Sequence, residues 1–184
     1  MDDMTECYDR FLGGDIDAFA EIVSRTRMGL SYYIFTFVRD ADLAEELTED
    51  VFVKLYLRRP ANRKKGSFKT WLYTIGRNAA LDELRKRKKK NRVPIEEVSG
   101  LSSGENPPEA GYLAEETKRA LHQALGRIPP AYAEALRLAY FEGFTEKEIS
   151  HIVKRSMKST YDLLYRARKA LKEQLIKEGF TYEI

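Results

Sequence analysis

The chain has 184 residues, of which 43% are hydrophobic and 33% charged, a balance that suits a packed globular protein and excludes full-length disorder. One cysteine and two histidines leave no intrachain disulfide and weigh against a structural zinc or a Cys/His nucleophile pair, so no cofactor or metal is expected. The most apolar stretch, residues 30–38, is nine residues long against the roughly 20 that span a bilayer, and the acidic start MDDMTECYDR is unlike a secretory signal. A cytoplasmic protein without a membrane segment is expected.

The net charge of +3 conceals a division. Residues 1–57 carry 13 acidic and 5 basic side chains, residues 58–92 carry 2 and 14, residues 93–112 carry 4 and none, and residues 113–184 carry 10 and 13. A strongly basic block calls for a polyanion, nucleic acid first, and the acidic block for a basic protein surface. The run at 85–92 taken alone fits a solvated helix end equally well.

In chain order, Phe19, Ile22, Val23, Leu30, Tyr33, Ile34 and Phe37 recur at helical spacing, and Leu43, Leu47, Val51 and Leu55 form an i, i+4 ladder with Phe52 and Tyr56 beside it. Asp42 with Glu45 suits the start of the second helix, and Pro60 its end. A third helix follows Ser67, an N-cap type, with Phe68, Trp71, Leu72, Ile75 and Ala79 on one broad face before the basic run. Residues 93–112 hold three of the six prolines and no basic residue, the composition of a flexible acidic linker.

Beyond the linker, Leu113, Thr117, Leu121, Ala124 and Leu125 predict a helix ending near Gly126, and Pro129-Pro130 suit the first turn of another through Ala135, Leu136, Leu138 and Ala139. Thr145 and Glu148 make a T-x-x-E capping box for a short helix to about Val153. Lys154, Arg155 and Ser156 then form a turn whose serine can cap a longer helix through Leu163, Leu164, Ala167 and Leu171. No stretch alternates with period two, so the fold class is all-α. Two small helical domains are predicted, 1–92 and 113–184, the first a bundle of three or four helices.

Three constellations carry function. The short helix, tight turn and longer helix have the dimensions of a DNA-binding helix-turn-helix, a spacing that helical hairpins without DNA roles share. On its second helix Thr160, Leu164, Ala167 and Leu171 share an apolar face, leaving Lys158, Ser159, Asp162, Tyr165, Arg166 and Lys169 for a groove. The third helix combines Phe68, Trp71 and Tyr73 with Arg77, Asn78, Asp82 and Arg85. That mix suits single-stranded nucleic acid, because aromatics stack on bases while cations follow the backbone. Phe68 and Trp71 serve equally as core. The six carboxylates of 40–50 lack any EF-hand or H-E-x-x-H pattern, and form a solvated face or an acidic docking surface rather than a metal site.

Together these residues resemble the extracytoplasmic-function group of bacterial RNA polymerase sigma factors of the sigma-70 family, from Gly14 to about Leu175. Gly14, Asp15, Ala18 and Phe19 meet a pattern like G-D-x-x-A-F. The stretch 44–52 (AEELTEDVF) is similar to A-E-D-L-T-Q-E-V-F, and Phe68, Trp71, Leu72, Ile75 and Asn78 meet F-x-x-W-L-x-x-I-x-x-N. Leu125-Gly126-Arg127-Ile128-Pro129, Glu148-Ile149-Ser150 and Arg166-Ala167-Arg168 with Leu171 continue the order.

The resemblance implies a sigma factor that binds RNA polymerase core, recognises and opens promoter DNA, and catalyses nothing itself. It implies polymerase contacts at Glu46, Leu47, Glu49, Asp50 and Phe52. Minus 10 contacts are implied at Phe68, Trp71, Arg77, Asn78, Asp82, Arg85 and Lys86, and minus 35 contacts at Arg155, Ser156, Lys158, Ser159, Asp162 and Arg166. An anti-sigma factor is a further partner it allows. At Lys154 and Lys158 the family often has Gly, so a left-handed residue at Lys154 costs roughly 1 kcal/mol; Tyr161 and Leu163 stand where the family is commonly basic. The rivals are a helix-turn-helix regulator of duplex DNA without polymerase contacts and a metal-dependent helical nuclease.

Overall fold

The computed structural model describes residues 3–59, 67–90, 121 and 123–179, and every regular element among them is an α-helix. The linker expected at 93–112 lies outside the described residues. The chain divides into two compact units, Met1–Val98 with Lys147–Lys154, and Ser99–Glu146 with Arg155–Ile184.

In the first unit, α1 (Asp3–Leu12), α2 (Ile16–Val38), α3 (Ala41–Arg58) and α4 (Phe68–Lys90) form one bundle in which α2 packs against the other three. The helix α1 was not expected from the sequence. It buries Met4, Cys7, Tyr8 and Phe11, an i, i+3, i+4, i+7 stripe. Tyr8 stacks on Phe68 with ring centroids 4.5 Å apart, Phe11 meets Phe19 at 4.7 Å, and Tyr33 meets Tyr73 at 5.3 Å. Tyr8, Phe11, Tyr33, Phe68 and Tyr73 are all fully buried, each contributing about 2 kcal/mol of apolar transfer energy. Where α4 crosses α2, Gly76 is required: a Cβ there would come within 2.7 Å of Leu30 Cδ1, and Leu30 is itself fully buried.

Helix ends follow short polar side chains. Asp15 caps α2 by accepting from the Ala18 N–H at 3.2 Å. Asp40, not Asp42, caps α3, accepting from Leu43 N–H at 3.1 Å; both residues lie in one acidic stretch, and the cap falls to the one with extended backbone. Ser67 accepts from Thr70 N–H at 3.2 Å, as its residue type predicts, while Thr5 of α1 accepts from Phe68 N–H at 3.1 Å. Both α2 and α3 end in left-handed arginines, Arg39 at φ 55° and Arg59 at φ 38°.

In the second unit, α5 (Pro130–Tyr140) packs on the long helix Met157–Lys177, here α7. Leu125, Ile128, Leu136 and Ala167 form the core, flanked by Leu121, Tyr132, Ala133, Ala170 and Leu171. Pro130 starts α5 as expected, whereas the preceding helical residues run through Gly126 to Arg127. Arg127 ties this corner to the end of α7 through Glu178 at 2.7 Å.

The arginine at φ 55° pays the cost of a left-handed L-residue. Arg39→Gly is expected to raise unfolding free energy by about 1 kcal/mol in denaturant titrations. Arg59→Gly gains less, because the Arg59 guanidinium lies 4.8 Å from the Phe11 ring centre and 5.6 Å from that of Tyr56.

Candidate nucleic-acid interface

The 23-residue α4 is divided along its length. Its front half buries Phe68, Leu72, Tyr73 and Ala80. Its rear half turns Asp82, Arg85, Lys86, Lys88 and Lys89 to solvent. Phe68, expected as a DNA contact, is a core residue: it is fully buried under Tyr8 and presents no surface to a ligand. Trp71 is half-buried, its ring 5.7 Å from Tyr8 and 5.8 Å from Phe68, so one part packs and another is open. Arg77 and Asn78 are also half-buried. One turn beyond Asn78, Asp82 accepts from Arg85 at 2.6 Å, an exposed surface pair of the kind that holds little energy. Arg87 bridges Glu83 at 3.5 Å and Asp40 at 3.3 Å, fixing the basic end against the start of α3. Lys88 and Lys89 carry no ion pair among the described residues.

On α3, Ala44, Thr48, Val51, Phe52 and Leu55 face the bundle, leaving Glu45, Glu46, Glu49 and Asp50 exposed and Leu47 half-buried. Phe52, expected at a polymerase contact, is 6% exposed and lies edge-on to Phe19 at 6.4 Å; it supports the acidic face from below. Arg27 of α2 pairs with Glu45 and reaches Glu49 at 3.3 Å. Asp50 is 3.3 Å from Lys54. Glu46 has no ion pair among the described residues. Beside these acids stand exposed apolar groups the sequence reading did not select, Met28 on α2 and Val53 and Leu57 on α3. Their signal was available: Val53 and Leu57 fall off the buried ladder.

The helix α6 (Glu146–Val153) buries Ile149, Ser150, Ile152 and Val153. Lys154 takes φ 56°, so the left-handed position that the family often gives to Gly is here held by a lysine. Ser156 then caps α7, its hydroxyl accepting from Ser159 N–H at 3.2 Å. Thr160, Leu163, Leu164 and Ala167 are buried. Leu163 thus belongs to the core side and is no candidate for a base contact. Arg155, Ser156, Lys158, Asp162 and Arg166 are exposed and Ser159 half-buried, so the predicted minus 35 set shares one accessible stretch. Tyr161 and Tyr165 join it, 52% and 70% exposed.

The remaining chemistry is sparse. Burial pushes the Cys7 thiol up, reinforced by Glu21, which keeps it in the unreactive thiol form. Among the described residues no group of three His, Cys, Asp or Glu side chains could hold a metal ion, and no helix is long and apolar enough to cross a membrane.

The order of a short helix, a left-handed turn and a longer helix with an open polar face, in one chain with a basic aromatic helix, fits the class of DNA-binding transcription proteins. Residues 22–90 match sigma-70 region 2, and residues 118–171 match sigma-70 region 4. Sigma factor SigM of Bacillus subtilis is 30% identical over 140 residues, covering 76% of this chain and 84% of that protein. SigV of the same organism is 31% identical over 147 residues, covering 80% and 84%, and the sigma-H factor of Pseudomonas aeruginosa is 27% identical over 175 residues, 91% of each chain. In fold the chain is similar to the sigma factor RpoE of Bartonella quintana, solved with the anti-sigma factor NepR (TM-score 0.67, 24% identity, 87% of this chain and 98% of that one). It is likewise similar to CnrH, solved with the cytosolic domain of CnrY (TM-score 0.66, 19% identity, 95% and 99%). The chain belongs to the extracytoplasmic-function group of the sigma-70 family and is an RNA polymerase sigma factor.

The Asp40 carboxyl is held below the usual carboxylate range by the Leu43 N–H and then by Arg87, and Asp15 by Arg10 and then the Ala18 N–H. A depressed folded-state value contributes stability that is fully present above the unfolded value near 4 and is lost as pH falls through the folded value. Stability of the protein is expected to decline on acidification below about pH 4. In Asp40→Asn, which retains a capping oxygen, equilibrium unfolding followed by circular dichroism should show a shallower decline.

Proposed function

We propose that the chain directs RNA polymerase core to a specific set of promoters, with residues 1–92 binding core and the melted minus 10 element and residues 113–184 binding the minus 35 duplex. The observation that carries this reading is the division of α4. An exposed cationic end follows directly on a half-open Trp71 and on Asn78, which is half-buried and whose amide oxygen accepts from Lys154 at 3.0 Å, an exposed contact that a base can replace; this is a surface for an unpaired strand that a regulator of duplex DNA does not need. Asn78 and Trp71 meet flipped or stacked bases, Arg85, Lys86, Lys88 and Lys89 hold phosphates, and Phe68 acts only by positioning the helix. The open acidic face of Glu46, Glu49 and Asp50, with half-buried Leu47 and the exposed Met28, Val53 and Leu57, docks on a basic apolar surface of core.

The protein is a cytoplasmic, non-catalytic factor without a cofactor, and residues 93–112 serve as its linker. The solved neighbours' complexes with NepR and CnrY support an anti-sigma partner for this chain as well.

Added to bacterial core polymerase lacking any sigma factor, the purified protein is expected to start transcripts at discrete positions on fragmented DNA from its source. DNA binding without polymerase-dependent initiation on an active core would instead establish the regulator. Glu46→Lys with Asp50→Lys should weaken core binding about tenfold or more, measured by fluorescence anisotropy; unchanged affinity removes the acidic docking face. Trp71→Ala should lower open-complex yield, read by permanganate footprinting, beyond any loss of folded protein.

A further inference from the structure

The exposed face at the start of α7 is nearly all cationic or aromatic. Arg155, Lys158, Arg166 and Lys169 are exposed, with Tyr161 and Tyr165 between them. Asp162 is the sole carboxylate on it before Glu173. It lies one turn from Lys158 on one side and Arg166 on the other, spacings at which surface ion pairs form, yet it pairs with neither and keeps no hydrogen bond among the described residues. On a helix presented to a polyanion a lone carboxylate is repelled by phosphate, so its acceptor oxygens need a donor on the DNA itself.

Resting on the reading of α7 as the minus 35 recognition helix, we infer that Asp162 is a specificity residue, accepting a hydrogen bond from the exocyclic amine of a cytosine in the major groove. The base edges decide this. A carboxylate only accepts, guanine presents two acceptors, and thymine an acceptor and a methyl group. Adenine presents its amine beside an N7 acceptor that repels a carboxylate, whereas cytosine presents the amine alone. Asp162 lies in the second turn of α7, within the N-terminal part that enters the groove in helix-turn-helix proteins. Tyr161 and Tyr165, both exposed, stand one residue before it and three after, so ring surface flanks the carboxylate on the face that would meet a groove. A carboxylate left dry opposite a wrong base loses its hydration with nothing in return, which is how a single acid discriminates.

The full-length protein, bound to bacterial core polymerase, would be selected against duplex promoters randomised upstream of the start. The wild type should enrich a motif with a fixed cytosine, and Asp162→Ala should lose discrimination at that position about tenfold while retaining the others. Asp162→Asn, nearly isosteric and an amide that reads adenine through N6 and N7, should move the preference there from cytosine to adenine. If Asp162→Ala raises binding to all sequences alike with every position unchanged, Asp162 is only an electrostatic brake and the inference fails while the recognition helix stands. If the wild type selects no upstream motif, both fail.

Discussion

The stack of Tyr8 on Phe68 is the contact on which the placement of α4 in the first unit depends. It joins the first turn of α4 to α1, and Thr5 completes the junction by taking the Phe68 N–H. With that end held, and with Gly76 letting α4 lie close on α2, the packing sets which face of the helix turns inward. Its rear half is therefore carried in one direction, and the cations there form a fixed surface. A basic tail hung on a loose helix would attract nucleic acid without presenting any one set of side chains to it.

The same division explains what the sequence disclosed. Helical periodicity located α2, α3, α4, α5 and α7, because each buries a broad apolar stripe that recurs at 3.6 residues. The helix α1 escaped because it is short and acidic, its stripe of Met4, Cys7, Tyr8 and Phe11 spanning barely two turns and including none of the aliphatic residues that mark the longer helices. Residue type alone could not separate Phe68 from Trp71. Both are aromatic, both lie near the cations, and only the partner helix absent from the sequence reading decides that one is enclosed and the other half-open. Phe52 and Leu163 teach the same point: their neighbours in sequence are exposed, but a step of one residue turns a side chain by about 100° around a helix.

Charge is distributed by a different rule. The acids of α3 are not a uniform field, because Arg27 pairs along the Glu45 and Glu49 edge while Glu46 has no ion pair among the described residues. The basic end of α4 is similarly edited by Asp82, Glu83 and Asp40. Exposed pairs of this kind add little stability. Their effect is to confine net charge to the outer faces, negative on α3 and positive beyond Lys86, so that one small bundle carries two separate fields of opposite sign.

The turn before α7 shows how a departure from a pattern is absorbed. Lys154 occupies a left-handed position that glycine would fill at less cost, so strain of about 1 kcal/mol is accepted at the entrance of the recognition helix. Two features hold it there: Ser156 caps α7 within two residues, and Ile152 and Val153 are buried just before. Replacing the pattern's basic positions at 161 and 163 has a different consequence at each. At 163 the leucine joins the core and the groove face is unaffected. At 161 the tyrosine puts an exposed ring where the pattern has a cation, and so takes one positive charge from the open face of α7 without disturbing the core side.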